Sequence, residues 1–260
     1  MPSIGPPRGR PARYPLAVFD FDGTLADTRK PITMSANHAL EELGYAKRPD
    51  AEIQHLVGLP LAAVMGTLAG LNSAAGDAAA WDTSAGDTAA GDTAAGDERV
   101  DALCVAYRAA FVRYASGNSP MYEGAADALD TLLNAGVVLA VATSRSRRSL
   151  EMFLEAHALQ DKFTVLAGGD DVHRGKPHPE MLEFVLAGAG FMRDEAIMIG
   201  DTTHDMFMGR DAGMHTCAVT YGNHDRDRLA AADPTYFADH ASEIPAHVLG
   251  EDSPLSSLDG

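Results

Sequence analysis

The chain has 260 residues, 46% of them hydrophobic, and a formal net charge of −17 at pH 7. That acidity excludes a broad nucleic-acid or anionic-membrane surface, since both need a basic footprint, and any anionic substrate must be met by local cations. No apolar run reaches the ~18 residues of a membrane span, and the stretch before Pro15 is rich in Pro and Arg without an apolar leader core, so a cytoplasmic protein with a loose N-terminal arm is expected.

Two cysteines, Cys104 and Cys217, lie far apart and form no CxxC pair, which suits free buried thiols in a reducing compartment. The ten histidines include no HExxH-type spacing for zinc.

The first element is a short apolar run, Leu16-Ala17-Val18-Phe19, which delivers Asp20 and Asp22 into a turn containing Gly23. On a regular strand the two carboxylates would share one side, and anions that close repel unless a cation joins them or one keeps its proton. A strand ending in an Asp-Gly turn is the plain alternative. Asp27 or Thr28 is placed to cap a helix that runs to about Leu43, with Ile32, Ala36, Ala39, Leu40 and Leu43 at helical spacing and Gly44 as its stop. Helices over 51–57 and 61–68 follow without a strand signal between them.

From about 72 to 97 the sequence becomes a near-repeat, Ser84-Ala85-Gly86-Asp87-Thr88 followed by Ala89-Ala90-Gly91-Asp92-Thr93. A five-residue period fits neither helix nor strand and offers little apolar area to offset its ordering entropy, which predicts a flexible loop. Its aspartates lack the spacing of an EF-hand or a nine-residue calcium repeat. Residues 98–114 read as a strong amphipathic helix, with Val100, Leu103, Cys104, Tyr107, Ala110, Phe111 and Tyr114 on one side, broken by Gly117-Asn118-Ser119-Pro120.

After this point strands and helices alternate: helix 125–134, strand 137–142, helix 147–156, strand 163–167, helix 179–189, strand 196–200, helix 204–212 and strand 215–219. The run at 137–142 is continuously apolar, as burial on both faces requires, and 196–200 reads as another buried strand. The expected fold is α/β, a doubly wound parallel sheet from 14–28 and 117–250, with an all-helical insertion over 29–116 and loose tails at 1–13 and 251–260.

Three later apolar segments are each followed by residues that suit phosphate chemistry. Val141-Ala142 runs into Thr143-Ser144, Lys176 sits in a loop stiffened by Pro177 and Pro179, and Ile199-Gly200 ends at Asp201, with Asp205 four residues on. Each alone has an ordinary role, Thr143 as a helix cap, Lys176 as a solvated lysine, Asp201 and Asp205 as cap and first-turn acids. Their appearance together at successive strand ends argues for one site.

Asp20-Phe21-Asp22-Gly23-Thr24, Thr143, Lys176 and Gly200-Asp201 with Asp205 resemble, in order, the four motifs of the haloacid dehalogenase superfamily, and the helical insertion looks like its small cap domain. The resemblance covers roughly 16–245 and is nearest to the phosphoglycolate phosphatase-like hydrolases. It implies a Rossmann-like core and a phosphatase for a small phosphorylated metabolite, either a phosphoglycolate-like monoester or pyrophosphate. Asp20 is then the nucleophile that becomes an aspartyl-phosphate, and Asp22 the acid and base. Mg²⁺ is implied on Asp20, the backbone carbonyl of Asp22, Asp201 and Asp205. Gly23, Thr143, Ser144 and Lys176 are implied around the phosphate. Ser144 stands where many members carry Asn, and Val57-Gly58-Leu59-Pro60-Leu61 resembles the cap loop that faces the site.

An acid at Asp22 fits phosphate transfer rather than dehalogenation. A sugar-phosphate mutase of the β-phosphoglucomutase kind keeps both acids, but the mutase-like branch usually resembles Glu-Asp in the fourth motif and carries a histidine soon after the first, where this chain has Gly200-Asp201 and Arg29-Lys30-Pro31. A non-catalytic binding protein on the same scaffold is the third reading. A monomer or homodimer without nucleic-acid or membrane partners is expected.

Overall fold

The computed structural model describes residues 12–71, 97–115 and 118–250. The near-repeat expected to be a flexible loop falls at 72–96, outside the described residues, as do the tails at 1–11 and 251–260.

Six strands, β1 (Leu16–Phe19), β2 (Val138–Ala142), β3 (Val165–Ala167), β4 (Ala196–Gly200), β5 (His215–Val219) and β6 (Tyr236–Ala238), form one sheet in the order β3-β2-β1-β4-β5-β6. Every neighbouring pair is parallel. β1 lies in the interior of the sheet and all four of its residues are buried, which explains an unbroken apolar run in place of alternation. Ala17 and Phe19 enter the apolar cluster on one face, Leu16 and Val18 the cluster on the other. Helices α5 (Ala125–Asn134), α6 (Arg147–Ala156) and α10 (Ile244–Leu249) cover the first face through Leu129, Leu150 and Val248. Helices α7 (Glu180–Ala189) and α8 (Thr203–Asp211) cover the second through Met181, Leu182 and Met208. This is the doubly wound arrangement.

Register positions the chemistry. Phe19 pairs with Val141 on one side and Ile199 on the other, so the carboxyl ends of β1, β2 and β4 finish nearly level. The strand order reverses between β1 and β4, and that switch point is where open α/β sheets leave a crevice for ligands.

Between β1 and β2 come α1 (Arg29–Glu42), α2 (Asp50–His55), α3 (Leu61–Leu68) and α4 (Glu98–Ala115). They share an apolar cluster of their own that includes Ile32, Leu40, Ile53, Leu68, Leu103 and Phe111. Phe153 of α6 packs against both this cluster and the core, which joins the insertion to the sheet layer.

Observed elements match the periodic segments to within two residues at each end. Gly44 stops α1 with φ +82°, a conformation that suits glycine. The N-cap differs from expectation: Thr28 makes no side-chain capping bond, and its hydroxyl donates instead to Asp22 at 2.6 Å. The Arg29 N–H is taken by Asp27 Oδ1 at 3.3 Å. Sequence reasoning placed nothing after Val219, where β6, α9 (Arg226–Ala230) and α10 lie, because elements of three to six residues carry little periodic signal. Arg13, expected in a loose tail, is held by a bond from its guanidinium to the Tyr236 hydroxyl. Both cysteines are free and buried. No helix among the described residues is long and apolar enough to cross a membrane.

Leu103 is fully buried at the centre of the helical insertion. Leu103→Ala should lower unfolding stability by about 2–5 kcal/mol through the cavity it leaves, measured by urea denaturation with the slope unchanged.

Candidate active site

Asp20 follows β1 directly, and its N–H still donates to the Ile199 carbonyl at 2.8 Å, so the nucleophile candidate is held by the sheet itself. Asp201 follows β4. Its carboxylate accepts from the backbone and side-chain nitrogens of Asn223, both at 2.7 Å, and from the Thr24 hydroxyl at 3.2 Å. Asp205 lies in the first turn of α8. One of its oxygens accepts from the Thr202 N–H at 3.0 Å and hydroxyl at 2.6 Å, while the Asp205 N–H is paired with the Thr202 hydroxyl, a capping box that fixes the side chain.

Lys176 reaches in from the loop before α7. Its ammonium donates to Asp20 Oδ1 and Asp205 Oδ1, each at 2.6 Å, and the side chain is fully buried. Burial alone would lower the lysine's pKa, but the carboxylates of Asp20 and Asp205 outweigh it, so the net direction is upward and the ammonium keeps its charge. Burial pushes the Asp20 carboxyl up, with Lys176 opposing it and Asp205, Asp201 and Asp22 adding to it. Burial and then Asp205 push Asp201 up to about 7, against the Asn223 bonds and Lys176. Three buried carboxylates thus share one ammonium.

Asp22 takes a different direction. Because β1 ends at Phe19, the strand rule that would place Asp20 and Asp22 on one side no longer applies, and the chain turns with Leu25 and Ala26 both donating to the Phe21 carbonyl. The Asp22 carboxylate is gripped by Arg145, whose Nε donates to Oδ2 at 2.8 Å and whose Nη2 donates to Oδ1, while Thr28 donates to Oδ1. The guanidinium lies 4.5 Å from the ring centroids of both Phe111 in α4 and Phe153 in α6. Sequence reasoning missed Arg145; the signal was a cation two residues past Thr143. It also missed Asn223, which sits outside any periodic segment.

The expected phosphate group is placed as follows. Thr143 is buried, with its N–H donating to the Ala167 carbonyl and its hydroxyl oxygen accepting from the Arg145 N–H at 3.3 Å. The Ser144 hydroxyl donates to the Gly58 carbonyl at 2.6 Å, so it ties the core to the insertion's loop. Gly23 donates its N–H to Ala26 within the turn. Its contribution is room: φ is +90°, and a Cβ there would lie 2.1 Å from Asp201 Oδ2 and 2.3 Å from Asn223 Nδ2. Any other residue would push this loop away from Asp201 and Asn223.

Asp20, Asp201 and Asp205 offer oxygens within 4.8 Å of one another, all buried. The Asp22 side chain stands outside that group, and its backbone carbonyl faces the Asn223 amide at 3.5 Å. The Asn223 Oδ1 is buried with no partner. Three acids against one ammonium leave buried negative charge, and the donor set is all hard oxygen, so the residues fit a small divalent cation such as Mg²⁺. A cavity of about 850 Å³ opens from Asp20, Asp22, Thr143 and Ser144 between the insertion and α6.

A family model described as haloacid dehalogenase-like hydrolase matches residues 17–219. The curated protein "Probable phosphatase IndB" of Dickeya dadantii is 34% identical over 239 residues, 90% of this chain and 94% of its own length. Pyrophosphatase PpaX of Bacillus velezensis is 29% identical over 92% of this chain and 97% of its own. A crystal structure described as a "predicted phosphoglycolate phosphatase" from Haemophilus somnus has a TM-score of 0.73 at 22% identity, covering 89% of this chain and 96% of that one.

Mg²⁺ at one hundred times its dissociation constant should stabilise the chain by about 2.7 kcal/mol, a Tm rise of about 5–10 °C in a protein of this size. Differential scanning fluorimetry with and without Mg²⁺ checks this. Asp201→Asn should remove the rise while leaving the metal-free Tm at or above that of the parent.

Proposed function

The chain belongs to the haloacid dehalogenase-like hydrolases, and from that premise we propose that it is a Mg²⁺-dependent phosphatase working through a phosphorylated Asp20. The observation that carries the proposal is the placement of Asp20 at the end of a central strand, with a buried ammonium on one of its oxygens and a cavity opening beside it. A carboxylate so held is presented to phosphorus with little freedom to lose, which is what positional catalysis requires.

In the first half of the reaction an Asp20 oxygen attacks phosphorus, the bond from phosphorus to the leaving oxygen breaks, and the Asp22 carboxylic acid gives that oxygen its proton. In the second half Asp22, now a carboxylate, takes a proton from water as the water oxygen attacks the phosphoryl group on Asp20; the bond from phosphorus to Asp20 breaks and inorganic phosphate leaves. Thr143 and Lys176 hold the phosphoryl oxygens, with the lysine charge set against the charge that develops there. Asp20, Asp201, Asp205 and the Asp22 carbonyl would hold Mg²⁺, which would supply positive charge against the repulsion between the anionic nucleophile and the anionic substrate.

Both Asp22 oxygens accept from Arg145 in the structure, so neither is free to give or take a proton until one of those bonds opens. Acting first as an acid requires a proton on one Asp22 oxygen, so Oδ2 gives up its bond from Arg145 Nε while Oδ1 keeps its bonds from Arg145 Nη2 and Thr28. A mutase would use the same acids, and product analysis with a hexose phosphate separates the two, free phosphate being the expected product. A cytoplasmic setting fits a phosphatase of metabolites.

Asp20→Asn should reduce p-nitrophenyl phosphate turnover by several orders of magnitude with the fold intact by circular dichroism; residual activity above ~1% would count against a covalent role. Asp22→Asn should behave differently. p-Nitrophenolate leaves without acid assistance, so this variant should release one burst of it per enzyme and then stall. Steady turnover should be slowed about 10²–10⁴-fold, read by stopped-flow absorbance.

A further inference from the structure

The cavity beside Asp20 and Asp22 is far larger than a two-carbon leaving group needs. Its volume of about 850 Å³ lies in the range of about 300–1,000 Å³ that holds drug-sized ligands. Beyond the carboxylates and the Thr143–Ser144 turn, its wall is largely apolar: Ile53, Val57 and Val64 from the insertion, Phe111 from α4, Met152 and Phe153 from α6. The Phe111 and Phe153 rings lie 6.4 Å apart at 38°, and Tyr107 stacks on Phe111 at 5.9 Å and 20°. These offer aromatic faces along one side.

The cations near the reaction centre are committed. Lys176 is shared between Asp20 and Asp205, and Arg145 is bidentate on Asp22 with the Phe111 and Phe153 rings beside it. The other two arginines in the lining, Arg108 and Arg148, are exposed to solvent. A carboxylate or second phosphate next to the scissile phosphorus would enter a largely apolar chamber and compete for charges already paired, which is costly. An apolar ring would instead be desolvated against walls that match it.

Resting on the phosphatase reading, we infer that the preferred substrate is a phosphate monoester of a largely apolar, ring-bearing alcohol, used in preference to phosphoglycolate or pyrophosphate. The phosphate lies at Asp20, Thr143 and Lys176, and the ring of the leaving alcohol lies between the insertion and α6. That alcohol is released carrying the proton from Asp22.

The test is a series of monoesters with leaving alkoxides of similar basicity: ethyl, benzyl and 2-(1-naphthyl)ethyl phosphate, with 2-phosphoglycolate and pyrophosphate in parallel, all with Mg²⁺ and read as phosphate release. kcat/KM should rise about 10-fold or more from ethyl to benzyl, with both ring esters above phosphoglycolate and pyrophosphate. In Val64→Trp, which fills part of the cavity, the ratio of naphthylethyl to ethyl phosphate should fall; a ratio measured on one preparation is independent of how much of it is folded. Equal kcat/KM along the ester series, or faster use of phosphoglycolate or pyrophosphate, would overturn the inference and leave the phosphatase standing. No release from any of the five compounds would overturn the phosphatase reading together with it.

Discussion

The structure turns on one buried ammonium. Lys176 bonds to Asp20 and Asp205 at 2.6 Å each, with Asp201 beside them, and all four side chains are buried. Burial pushes the Asp20 and Asp201 carboxyls up even beside that lysine, and without it the charge that opposes the push on Asp20 would be lost. With it, the nucleophile candidate is held in place, yet the group remains short of positive charge. That deficit is what a small divalent cation on these oxygens would offset.

The sheet supplies the precision. Asp20 and Asp201 come from neighbouring strands whose register is fixed by backbone pairing at Phe19 and Ile199, so their separation follows from the strand spacing. Asp205 adds a capping box at the start of α8, and Gly23 allows the first loop to come against Asp201 where any Cβ would collide. Sites on rigid strand ends keep their geometry because displacing one group means breaking a ladder.

Asp22 belongs to a second, separate charge system, and this one connects to the helical insertion. Arg145 holds the Asp22 carboxylate while touching both Phe111 of the insertion and Phe153 of the core, and Ser144 beside it bonds the Gly58 carbonyl of the insertion's loop. Movement of the insertion would therefore alter the setting of Arg145 and, through it, of Asp22. Asp22 and the cavity beside it share the same aromatic wall.

Much of this was legible in the residues. Strands buried on both faces announce themselves as unbroken apolar runs, and Asp20, Thr143 and Asp201 each follow such a run, which placed them at one edge of a parallel sheet. The three carboxylates and Lys176 did converge there. The sequence could not show that Thr28 would leave its capping duty for Asp22, that Arg145 would reach across 123 residues to the same carboxylate, or that Ser144 would spend its hydroxyl on Gly58. Nor did it reveal Asn223 or the short elements after Val219. The physical reason is common to all of them. Periodicity and motif spacing report which backbone a segment adopts and where its polar residues begin, because those depend on near neighbours. Which donor meets which acceptor, and whether a cavity is walled by rings or by charges, depends on the register of distant strands and the seating of the insertion, which exist only once the chain has folded.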